Sequence, residues 1–82
     1  SGDPHRLLER IERYRTRVVT PAVQRTAAAT AAYRSNQGTL LSVFEARHAE
    51  VDAQRKLLTL QRDLAKARAQ LAFKPVTQGG GQ

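Results

Sequence analysis

From Leu40 to Phe73 the sequence contains neither glycine nor proline, and that unbroken run limits the fold more than any other feature. At ~1.5 Å per residue it predicts one helix about 50 Å long, far beyond the usual globular helix. A chain of 82 residues cannot wrap a thick core around such a rod. It must lay a second long helix along it.

The apolar residues of this run fall into two stripes. Ala53, Leu57, Leu60, Leu64, Ala67 and Leu71 alternate spacings of four and three, as a coiled-coil seam does, and Leu57, Leu60, Leu64 and Leu71 are the predicted helix-packing residues. Leu40, Phe44, Val51, Leu58, Ala65 and Ala72 form a less continuous second stripe. One neighbour needs one seam. Two seams side by side suit a helix flanked on both sides, as in a four-helix bundle or a wall of helices.

Upstream, Asp3-Pro4 has the chemistry of a helix start: Asp is a favoured N-cap, and Pro suits the first helical position. Leu7, Ile11, Tyr14 and Val18 then recur on one face. Glu9 with Arg13 and Glu12 with Arg15 are spaced for exposed ion pairs. Pro21 cannot donate a hydrogen bond to the carbonyl of Arg17, and its ring crowds that turn, so a kink is expected there within a continuous helix. Ser35-Asn36-Gln37-Gly38 reads as the turn, since Asn and Gly both accept the left-handed backbone that ends helices, and Thr39 stands as the next N-cap. So short a link makes the helices antiparallel. Residues 1–74 are thus predicted to be an all-α, coiled-coil-like antiparallel hairpin: helix 4–35 kinked near Pro21, turn 35–39 and helix 40–73. Lys74-Pro75 ends the second helix, and residues 75–82 form a flexible tail.

Composition narrows the function. There is no cysteine, so neither a disulfide framework nor a thiolate metal site is available. No apolar run reaches the roughly 18 residues that span a bilayer. The net charge of +7, with Lys and Arg outnumbering Asp and Glu 14 to 7, is spread along both helices. The densest group, Arg6, Arg10, Arg13, Arg15 and Arg17, is interleaved with Glu9 and Glu12 and reads as a solvated face. No nucleic-acid-binding motif accompanies it, so nucleic acid is not an expected partner.

Chemistry-bearing groups are few. Glu45, His48 and Asp52 share one helix face, yet helical metal sites recruit several carboxylates from neighbouring helices, and pairing with Arg47, Arg55 and Lys56 in solvent is the expected fate. Ser35 and Ser42 have no base and no pocket on a two-helix hairpin, so neither catalysis nor a cofactor or metal is expected. Gly79-Gly80-Gly81 follows no strand and is no phosphate loop. Tyr33 is expected to pack across the hairpin onto Leu41 or Phe44 while shaping an exposed tip.

The stretch from Tyr33 through Ser35-Asn36-Gln37-Gly38-Thr39-Leu40-Leu41-Ser42-Val43-Phe44 to Ala46-Arg47 resembles the second helical hairpin tip of TolC-type outer-membrane efflux proteins. Val18-Val19-Thr20-Pro21-Ala22 resembles that family's Val-Leu-Pro-Ala segment, and Leu57 to Leu71 its Leu/Ala-rich return helix, with a flavour similar to heavy-metal efflux members. Asn36 stands where Gly is common, and Ser42 where Asp is common, which puts charge-based gating at that position in doubt.

The resemblance implies a fragment of a homotrimeric channel whose hairpins build a periplasmic α-barrel below the outer membrane. It places Tyr33, Asn36, Gln37, Gly38 and Thr39 at a tip that meets a periplasmic adaptor, which joins the channel to an inner-membrane pump. Two other readings compete: the hairpin of the adaptor itself, and a free-standing basic hairpin that binds protein or nucleic acid. Alone, the fragment is expected to self-associate through its uncovered seams.

Overall fold

The computed structural model describes residues 2–80, with side chains through Phe73. It is an all-α antiparallel hairpin. Helix α1 spans Pro4–Tyr14, a π-helical turn Arg15–Val19 leads without a break into α2, Thr20–Arg34, and α3 runs Leu40–Gly80. The molecule is a rod of 69 × 18 × 14 Å.

Each boundary has a local cause. The Asp3 carboxylate accepts from the backbone N–H of His5 at 2.9 Å, and Pro4 fills the first helical position, where no N–H is needed. The π-turn ends two residues before Pro21, where the sequence predicts a kink. An α-helical turn would drive the proline ring into the carbonyl of Arg17, and widening the preceding turn relieves that clash without opening a loop. Within it the N–H of Thr20 donates to Arg15, five residues back, and the Thr16 hydroxyl donates to the carbonyls of Glu12 and Arg13.

The wide turn moves the apolar face by one position. Counting on a uniform helix puts Val18 in the stripe after Leu7, Ile11 and Tyr14. In the structure Val19 is buried, at 7% exposure, and Val18 stands at 37%. Ala22 follows Val19 into the core.

The core is one seam between the helices. Ile11, Val19 and Ala22 pack with Ala53, Leu57, Leu60 and Leu64, and Leu7 and Tyr14 cover its flank. Leu60 and Ile11 are the most deeply placed. None of these lies between residues 23 and 52, the stretch that flanks the turn. Nearer the turn the facing residues are small, with Thr26, Ala29, Thr30 and Ala32 partly covered on α2 and Val43 and Ala46 on α3. Among the described residues, none from 23 to 52 is fully buried.

Two further expectations need correction. Leu71 does not join the seam: it is 58% exposed, because α1 begins at Pro4 and Gly2 already lies beside Gln70, so no partner helix reaches it. Helical backbone also continues to Gly80, beyond the end expected at Phe73. Residues 81 and 82 of the expected tail lie outside the described residues.

Candidate partner-binding tip

The turn is closed by its own backbone. Asn36 sits at φ 62°, the one non-glycine residue in the left-handed region among the described residues. That geometry lets the N–H of Gln37 donate to Ala32 at 2.8 Å and that of Asn36 to Tyr33 at 3.1 Å, the paired bonds that end a helix in a Schellman motif. Gly38 does not take positive φ. Its role is space: a Cβ there would lie 3.0 Å from the Cβ of Ala32. Thr39 then caps α3, its hydroxyl accepting from the N–H of Ser42 at 3.0 Å. The hydroxyls of Thr39 and Ser42 also meet at 2.9 Å, so Ser42 is engaged in the cap.

With its backbone satisfied internally, the tip presents side chains. Tyr33, Asn36, Gln37, Gly38 and Thr39 are all exposed. Tyr33 is 45% exposed, and the two residues expected to cover it, Leu41 and Phe44, are 64% and 61% exposed. Together with Leu40 they make an apolar collar just behind a polar point. Sequence reading missed the openness of that collar, which depends on how the two helices lie against each other.

The predicted seam divides. Leu57, Leu60 and Leu64 are buried within the hairpin, and Leu71 is not. The second stripe stays largely uncovered, with Leu40, Phe44 and Leu58 exposed and Val51 half-buried. His48 pairs along its own helix with Asp52 at 3.5 Å, and Arg47 with Glu50 at 3.3 Å. The Ser35 hydroxyl donates back to the carbonyl of Ala32. Among the described residues no group of three or more His, Cys, Asp or Glu is placed to hold a metal ion, and no helix is long and apolar enough to cross a membrane.

The chain matches no family model, curated protein or solved structure.

Proposed function

We propose that this hairpin is a wall element of a TolC-type outer-membrane efflux channel, placed in the periplasmic α-barrel with its tip against a periplasmic adaptor of a tripartite pump. One observation carries the reading: α3 buries Leu57, Leu60 and Leu64 against its own partner helix while keeping Leu40, Phe44 and Leu58 uncovered elsewhere on its surface. Such a helix has one neighbour within the hairpin and needs another outside it, which is the situation of a helix in a closed wall. The tip supports the same reading. Its polar backbone is spent on the Schellman bonds and the Thr39 cap, so Asn36 and Gln37 offer side-chain hydrogen bonds from a preformed surface.

Photo-crosslinking tests this. A photoreactive residue is placed at Gln37 or, as a mid-helix control, at Arg62, and the chain is mixed with the hairpin domain of a periplasmic adaptor. Crosslinks are expected at position 37 and not at 62. Equal yields at both positions, or none at 37, would overturn tip docking.

A further inference from the structure

The half of the rod away from the tip carries a row of arginines. Arg6, Arg10, Arg13 and Arg17 follow one another at spacings of four, three and four residues along α1 and the π-turn, and all four are exposed. Leu7 lines a groove of about 310 Å³ with Asp3, Arg6, Arg10 and Arg13, and Tyr14 and Val18 line an adjoining one with Arg10, Arg13 and Arg17.

Most of this charge is not neutralised within the hairpin. Arg6 has only a long contact with Asp3, at 3.9 Å. The nearby acids are engaged elsewhere, Glu9 with His5 at 3.4 Å and Glu12 with Arg15 at 3.7 Å. Among the described residues no carboxylate lies within ion-pair distance of Arg10, Arg13 or Arg17. Asp3 already caps the start of α1 and stands beside Arg6, so the unmet charge is that of Arg10, Arg13 and Arg17, which an anionic partner would neutralise.

The geometry points to Arg6, Arg10, Arg13 and Arg17 as a docking face for an acidic amphipathic helix of another protein, one presenting carboxylates at the same four-three-four spacing. Several features favour a helix over other anions. Arg6, Arg10 and Arg13 recur with the α-helical repeat, with Arg17 following in the π-turn, so a second helix can meet the row turn by turn. The interleaved Leu7, Tyr14 and Val18 offer carbon surface, which a phosphate backbone does not use. Leu7 and Tyr14 are half-buried, so they do not project beyond the arginines as insertion into a bilayer would require. Guanidinium forks suit carboxylates, giving the contact direction as well as charge. The face lies far from the tip and does not depend on the efflux reading.

The test titrates the full chain into a labelled helical peptide with Glu at the four-three-four spacing and Leu and Ala between. A control peptide has the same composition with its Glu residues scattered around the helix. The patterned peptide is expected to bind about tenfold more tightly than the scattered one, and less tightly as salt is added. Arg10→Gln with Arg13→Gln is expected to weaken it about tenfold. Arg55→Gln with Arg62→Gln, which removes equal charge from exposed positions of α3, is expected to change binding less than about threefold. Equal binding of the two peptides, or equal loss in the two double variants, would reduce the effect to bulk charge and overturn the proposal. Tighter binding to a single-stranded oligonucleotide, or to phosphatidylglycerol vesicles, than to the patterned peptide would overturn it as well.

Discussion

Asn36 and Thr39 decide how the hairpin reverses, and each does so through a different piece of backbone chemistry. At φ 62° a side chain with a β-carbon meets the following carbonyl, a cost that Asn reduces with its short polar group. Asn36→Ala is therefore expected to destabilise the hairpin by about 1 kcal/mol, while Asn36→Gly stays within about 0.5 kcal/mol, in urea unfolding. Thr39→Ala removes the acceptor for the Ser42 N–H and is expected to cost about 1 kcal/mol in the same assay. Gln37→Ala touches neither set of bonds and should leave the unfolding midpoint unchanged while weakening adaptor docking.

At the scale of elements, the π-turn has the largest consequence, because one added position in the ladder rotates everything before it relative to α2. It is why Val19 rather than Val18 faces α3. Val19→Ala should cost about 1–2 kcal/mol, and Val18→Ala within about 0.5 kcal/mol. The reverse order would mean that a regular helix precedes Pro21. The seam is also unequal along its length: the leucines lie away from the tip, and alanine and threonine line the half next to it. Buried apolar area sets local stability, so amides of residues 23–52 should exchange with deuterium faster than those of residues 53–67. Uniform exchange along α3 would show that the thin half is held by something other than the apolar seam.

The whole molecule is a narrow rod whose sides are only partly covered. Leu58 is 55% exposed in the middle of α3, with Phe44 and Leu40 toward the tip. Sedimentation should show concentration-dependent self-association, and Leu58→Glu should weaken it more than about tenfold by placing a charge on the uncovered stripe. Leu64→Asp acts differently. Leu64 is buried within the hairpin, so the charge is expected to unfold the monomer, visible as lost helical circular dichroism. A folded, assembly-competent Leu64 variant would mean that the internal seam lies elsewhere.

Legibility from the sequence followed the range of the physics. The helix start at Asp3-Pro4, the Asn36 turn, the Thr39 cap and the seam of Leu57, Leu60 and Leu64 rest on capping, left-handed backbone and periodicity, which act within a few residues. Those features needed no knowledge of the partner helix. Glu9 shows where even local reading stops: Arg13 and His5 sit equally distant in sequence, and the side chain takes His5. The burial of Val19 over Val18 required the tertiary structure, because a pattern count assumes one helical period and the proline imposed another. So did the exposure of Leu71 and of the Leu41 and Phe44 collar, since only the arrangement of both helices shows where one runs past the end of the other. The four-three-four arginine spacing was written in the sequence, but that Arg10, Arg13 and Arg17 lack carboxylate partners among the described residues depended on where Glu9 and Glu12 turned.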